Sequence, residues 1–192
     1  MARPPRIQPS GATYHVIGNA TFGRKLFIEN DDRRWFEYRL DDVVRRYEWS
    51  IKSHCLLGTH YHMLVTTPEA NLAAGMQRLN GMHAQGFNHR HEQFGRLFRD
   101  RYHTVLVEGE GHFLALFRYI ALNPVRAGLC ERPEDWRWSS YAAAIGLASP
   151  QPFLDLESVL RLFGEDPAVA RSRLRALVED GLESSISDSS GV

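Results

Sequence analysis

The period of the apolar positions changes several times along this chain, and each change marks an element. Thr13 to Gly18 is β-branched and aromatic and reads as a short strand. From Asn30 onward the period becomes helical, with Trp35, Phe36, Leu40, Val43, Val44 and Tyr47 recurring on one side. Asn30, with Asp31 and Asp32 behind it, supplies an Asx cap and acids for the first turn of that helix. Trp49 to Leu57 reads as a strand, Gly58-Thr59 breaks it, and His60 to Thr67 is the next strand, ended by Pro68. Asn71 to Asn88 is helical, with Leu72, Met76, Leu79 and Met82 or His83 on one side. A loop rich in Arg, His and Gly runs from His89 to Arg99 and leads into a fourth strand, Arg101 to Val107. Gly109 to Leu122 is a helix whose stripe is Phe113, Leu116, Phe117 and Ile120, and Pro124 is expected to stop it.

The order β-α-β-β-α-β predicts an α+β, ferredoxin-like split βαβ arrangement: an antiparallel sheet with helices on one face. The helix that follows is free to carry function. After Tyr141 the character changes. Gly146 to Pro152 is a Gly/Ser/Pro linker, and Phe153 to Gly181 again shows helical patterning, interrupted near Gly164 to Pro167. The expected division is therefore a main domain over 1–145, a small helical extension over 146–182, and a serine-rich disordered tail over 183–192. The first dozen residues, with three prolines and a glycine, read as an arm.

Composition narrows the class without naming it. At 192 residues, 43% hydrophobic and 24% charged, the chain can bury a sizeable core. Two cysteines, Cys55 and Cys130, make no disulfide framework and no zinc pattern. No apolar run approaches a membrane span, and the first residues lack the apolar stretch of a secretory signal. A cytoplasmic protein with no membrane contact is expected.

Several residue groups carry candidate chemistry. His60-Tyr61-His62 places two imidazoles at i and i+2, on one face of a strand, where they can act as a pair of metal ligands. Tyr119 and Asn123 stand at i and i+4 and share a helix face. Such a pair can cap or pack, or it can present a phenol and an amide to one point. His15, on the first strand, can face the same side as the histidine pair. The stretch from Arg78 to Arg101 sets Arg78, Arg90, Arg96, Arg99 and Arg101 against only Glu92 and Asp100, with Phe87, Phe94, Phe98 and Tyr102 interleaved. Basic groups among aromatics are the ingredients of single-strand nucleic-acid binding.

With these residues the chain resembles the HUH single-tyrosine transposases, in the branch of the REP-associated tyrosine transposases. The resemblance is carried by His54 to Val65, by Gly95-Arg96-Leu97-Phe98 with Arg101-Tyr102, by Tyr119-Ile120 with Asn123 to Gly128, and by Trp138-Ser139-Ser140-Tyr141. It implies single-stranded DNA nicking and rejoining through a covalent 5′-phosphotyrosine, on hairpin or palindromic repeat DNA. It implies Tyr119 as nucleophile and His60, His62 and Asn123 as ligands of a divalent cation, Mg²⁺ or Mn²⁺. Arg78, Arg90, Arg96, Arg99, Arg101, Tyr102 and Arg126 become the expected DNA contacts, and His15 a neighbour of the site. Relatives act as monomers or as homodimers. Gly58-Thr59 stands where the family commonly has Pro-Asn, and Tyr61 where it has an aliphatic residue. These departures leave open a domesticated, non-catalytic hairpin- or single-strand-binding protein of the same descent.

The formal net charge of zero is the sum of unlike parts. Residues 1–145 hold 19 Lys+Arg and 15 Asp+Glu, whereas residues 146–192 hold 4 and 8. All nine histidines fall in the first part. A neutral total therefore does not exclude a nucleic-acid partner; it requires one to bind through a local basic surface.

Overall fold

The computed structural model describes residues 9–189. Most of the expected N-terminal arm (1–8) and the last residues of the expected tail (190–192) lie outside the described residues. The arm reading fails at its inner end. Gly11 N–H already bonds Thr67 O at 2.8 Å, and β1 runs Ala12–Asn19.

The elements follow as α1 (Asn30–Tyr47), β2 (Ser50–Leu56), β3 (His60–Thr67), α2 (Leu72–Arg90), β4 (His103–Leu106) and α3 (Gly109–Arg126). Beyond them come a 3₁₀ turn (Pro133–Asp135), α4 (Tyr141–Ala144), α5 (Leu156–Arg161) and α6 (Pro167–Ser189). The sheet order is β2-β3-β1-β4, with every neighbour antiparallel. This is the ferredoxin-like α+β fold that the element order predicts. Among the described residues no helix is long and apolar enough to cross a membrane.

Strand alternation gives the sheet two different faces. Tyr14, Val16, Tyr61, Met63 and Val65 join Phe36, Leu40, Met76 and Leu79 in a core under α1 and α2. Cys55 and Leu64 point the other way, into a second core with Phe117, Ile120 and Ala121 of α3. His15, His60 and His62 share the parity of Leu64, so they fall on the α3 side.

Two helix ends differ from the sequence expectation. The cap of α1 is Glu29, not Asn30: Glu29 and Asp32 form a reciprocal capping box, and Asp32 is fully buried. Asp32 also accepts from Arg90 and His91, which ties α1 to the end of α2. Pro124 does not stop α3. The missing N–H removes the bond to Ile120 O, and the helix runs on to Arg126. It closes at Gly128 (φ 66°), where Gly128 N–H bonds Val125 O and Leu129 N–H bonds Pro124 O, both at 2.9 Å.

The C-terminal extension is not detached. Ala170, Leu174 and Val178 of α6 are buried, and Val159, Leu174 and Val178 belong to the same apolar cluster as Phe117 and Ile120. Lys52 Nζ lies 2.5 Å from Asp155 Oδ2 and joins the extension to β2. Part of the tail expected over 183–192 falls within the described residues. The backbone of 183–189 continues α6, because extending a docked helix avoids the cost of nucleating a new one.

Gly18 explains how Tyr61 is tolerated. The two residues are cross-strand partners, and a Cβ on Gly18 would lie 2.3 Å from the Tyr61 ring. The ring fills that space, is fully buried, and donates its hydroxyl to Asn80 Oδ1 at 2.7 Å. Gly18→Ala is expected to destabilise the fold by about 1–3 kcal/mol through overpacking. Thermal melts should show the loss, and a second change, Tyr61→Val, should return part of it.

Candidate active site

The histidine pair opens β3. His60 pairs in register with Asn19 of β1, and His62 with Ile17 of β1 and Cys55 of β2, so the strand is held from two sides at His62. His62 is almost fully buried, and its Nδ1 lies 2.9 Å from His15 Nε2. Its Nε2 lies 3.3 Å from Asn123 Nδ2. An amide N–H donating to Nε2 requires the His62 proton on Nδ1, from which it is donated to His15 Nε2. His60 Nδ1 lies 3.1 Å from the Thr59 hydroxyl. The ring centroids of His60 and His62 are 5.1 Å apart, nearly perpendicular.

α3 brings the second half of the site. Tyr119 stands edge-on to His62, with centroids 5.4 Å apart, and to His15 at 6.1 Å. Its side chain is partly open to solvent while Asn123, one turn later, is buried against the imidazoles. Arg126 lies over the outer side of the Tyr119 ring, its Cζ 5.4 Å from the centroid. The helix continues through Pro124, so Tyr119, Asn123 and Arg126 project from one continuous element.

Burial keeps the imidazoles uncharged. Desolvation, then repulsion from His15 and His60, lowers the His62 pKa to about 3. Desolvation, with a smaller push from His112, lowers His15 to about 4. His60 is also lowered by burial, opposed by a hydrogen bond with Asn123. The site thus holds neutral nitrogen lone pairs at physiological pH, the form a metal ion requires.

Among the described residues no group of three or more His, Cys, Asp or Glu side chains is placed to hold a metal. The set here is two imidazoles and one amide, which can turn over to offer its oxygen. It fits an ion that takes its remaining ligands from water and phosphate. Imidazole donors favour Mn²⁺ over Mg²⁺, which prefers oxygen.

The structure brings His15, His60, His62, Tyr119, Asn123 and Arg126 together. It does not bring the other expected DNA contacts to the same place. Arg78 bonds Asp42 through Nε (3.1 Å) and Nη2 (3.0 Å), and Arg90 bonds the buried Asp32 at 2.8 Å; both couple α2 to α1. Arg96, Arg99, Arg101 and Tyr102 line a cavity of about 760 Å³ with Met76, Gln77, Asn80 and Phe98, on the α2 side of the sheet. Thr59 and the hydrogen bond from His62 to His15 are contributions the sequence reading did not assign. The cross-strand parity of His15 with the pair was the available signal. Tyr141, the other tyrosine next to a signature motif, is 1% exposed and packed in the α3 core, out of reach of a substrate.

The site is thus a ferredoxin-like sheet that carries a His-x-His strand beneath a tyrosine-bearing helix. Residues 9–123 match the model of the family described as "Transposase IS200 like", and the chain belongs to that family. Among solved structures, a REP-associated tyrosine transposase bound to a REP hairpin aligns over 81% of this chain and 90% of its own. The TM-score is 0.67 and the identity 16%, so this likeness is one of fold. No curated protein matches the chain.

Proposed function

We propose that this protein nicks and rejoins single-stranded DNA, with Tyr119 as the nucleophile. The observation that carries the reading is the seating of Tyr119 and Asn123 over the buried His62, with Tyr119 alone of the three open to solvent. The Tyr119 oxygen attacks phosphorus, the bond from phosphorus to the 3′ oxygen breaks, and the phenolic proton is lost as the 3′ oxygen gains one. The products are a 5′-phosphotyrosine and a free 3′-OH. The covalent bond conserves the energy of the phosphodiester, so a 3′-OH can reverse the step without ATP.

His60, His62 and Asn123 are the residues proposed to hold a divalent cation, Mn²⁺ or Mg²⁺. When bound, the cation supplies Lewis-acid polarisation of the scissile phosphate. His15 acts as a positioning residue: by accepting the Nδ1 proton of His62 it keeps the Nε2 lone pair facing Asn123. Thr59 does the same for His60. Arg126 sets a positive charge beside the phenol, where a DNA phosphate arrives. Hairpin or palindromic repeat DNA is the proposed substrate, in keeping with the hairpin bound by the structural relative.

The test is covalent capture. Single-stranded DNA carrying a hairpin and labelled on the 3′ side of the break should yield a protein–DNA band on a denaturing gel with Mn²⁺. The band should be weaker with Mg²⁺ and absent with chelator. DNA binding without any adduct under all three conditions would identify a non-catalytic relative and sink the nuclease reading.

A further inference from the structure

Two turns of this protein have the same three-residue sequence, Phe22-Gly23-Arg24 and Phe94-Gly95-Arg96. In both, the glycine is left-handed, with φ 74° at Gly23 and 84° at Gly95. Another residue there would be strained by about 1–2 kcal/mol. In both, the phenylalanine is almost wholly in solvent, Phe22 at 96% exposed and Phe94 at 93%. No other large apolar side chain among the described residues stands out so far. Rings that bury nothing contribute nothing to the core, and here two of them stand on turns of the same sequence and the same backbone form.

The two turns are tied into one unit. Arg24 Nη1 donates to Arg96 O at 2.7 Å, and Arg24 Nη2 donates to Asn88 Oδ1 at 3.0 Å and to Gln93 Oε1 at 2.5 Å. Thr21 N–H donates to Leu97 O at 2.8 Å, and the Thr21 hydroxyl to Arg96 O at 3.1 Å. The unit sits at the end of the sheet where the active-site strand begins. Asn19 pairs with His60, and Ala20 N–H bonds Thr59 O at 2.8 Å. At about 3.3 Å per residue, Thr21 lies roughly 13 Å along β1 from Ile17, the partner of His62. That is a span of a few nucleotides. Lys25 and Arg96 are exposed on the same turns, and Arg24 adds a third positive charge against Glu92.

We propose that Phe22 and Phe94 form a rigid stacking platform for unpaired bases of the DNA strand that leads to the active site. The inference rests on the reading of this protein as a single-strand DNA enzyme. The surrounding cations favour a polyanion as occupant rather than a second copy of this surface. Stacking needs ring faces open to the strand on a fixed backbone, and the cross-tied glycine turns provide that.

The experiment uses the full chain in chelator, so that binding is read without chemistry. Anisotropy of labelled oligo(dT) of about 20 nucleotides, longer than the ~4–16-nucleotide sites of single-strand binders, gives Kd. Phe22→Ala and Phe94→Ala should each weaken binding by about 5- to 100-fold, the loss expected for one stacked base. The slope of log Kd against log salt should stay the same, because no phosphate contact is removed. Phe→Trp should hold affinity, Phe→Leu should not, and binding of a blunt duplex should be indifferent to all of them. Unchanged thermal melts would show that the fold is intact, as the exposure of both rings requires. Alanine variants that bind oligo(dT) like the parent overturn the proposal, as do Leu variants that bind as well as Phe. A parent protein with no affinity for any single strand overturns the DNA reading itself, a distinct result. Loss of self-association in the alanine variants, with DNA affinity unchanged, overturns the platform and makes the turns a dimer contact.

Discussion

Tyr119→Phe is expected to abolish the covalent DNA adduct while leaving DNA affinity within about twofold of the parent. Removing the nucleophile of a covalent enzyme costs about 10⁴-fold or more in rate, since what remains is binding alone. The substitution is well suited to isolate chemistry. The ring keeps its edge contacts with His62 and His15, Arg126 keeps its place over the ring, and only a hydroxyl on a partly exposed side chain is lost. Tyr141→Phe serves as the contrast, because that side chain is enclosed in the α3 core. An adduct that survives Tyr119→Phe and disappears with Tyr141→Phe would reassign the nucleophile. His15→Ala should act differently from either. It should weaken Mn²⁺ binding, measured by titration calorimetry, and His15→Gln, which still offers an acceptor, should recover part of the loss.

A steep loss of stability on mild acidification is the second expected result. His15 and His83 have pKa values lowered to about 4, and His62 to about 3, all chiefly by burial. In the unfolded chain each would titrate near 6.5. Below that value the unfolded state takes up protons that the folded state refuses. Stability is therefore complete above about pH 6.5 and falls as the pH drops toward 4, by about 1.4 kcal/mol per pH unit for each histidine. Three of them give a slope of about 4 kcal/mol per unit, against a total of about 5–15 kcal/mol for an ordinary domain. Asp32, held low by its backbone and side-chain hydrogen bonds, changes in the same direction as the acid range deepens. Urea melts between pH 7.5 and 4.5 would show it. His83 offers a clean control, since its Nε2–H donates to Leu26 O at 2.9 Å, Nδ1 has no partner among the described residues, and Phe27, Phe36 and Phe87 surround the ring. A neutral replacement such as His83→Gln should flatten the slope by about a third, and a stability independent of pH over this range would refute the account.

Much of this was legible because it depends on local period. The alternation through β1 and β3 and the stripes of α1, α2 and α3 fix the fold, and i, i+2 and i, i+4 spacing places His60/His62 and Tyr119/Asn123 on common faces. What was not legible is set by register. The contact of His15 with His62 follows from the pairing of β1 with β3 across 47 residues of sequence, and a one-residue slip would have sent His15 into the other core. The same holds for Gly18 and Tyr61, where an unusual residue in one strand is answered by a missing side chain in its neighbour. How the arginines divide in space is hidden from the sequence for a related reason. A charge count along the chain cannot tell Arg90, consumed by a buried Asp32, from Arg96 on an open turn. The sequence shows only the general habit of Pro124, which is to end a helix. Its position one turn from the glycine that ends the helix made that habit irrelevant.

The way α6 lies across α3 has a consequence for how this molecule can be divided. The family match ends at residue 123, on Asn123 itself and inside α3. One side of that helix is roofed by the sheet and another by Leu174 and Val178, and Gly181 comes so close that a Cβ there would meet Arg118 at 2.7 Å and Leu122 at 2.9 Å. The stretch matched by the family model and the unit that folds therefore have different borders. The tyrosine is carried on a beam whose outer support is supplied some fifty residues later in the same chain. Remodelling of the C-terminal helices would reach the proposed site without altering any residue in it.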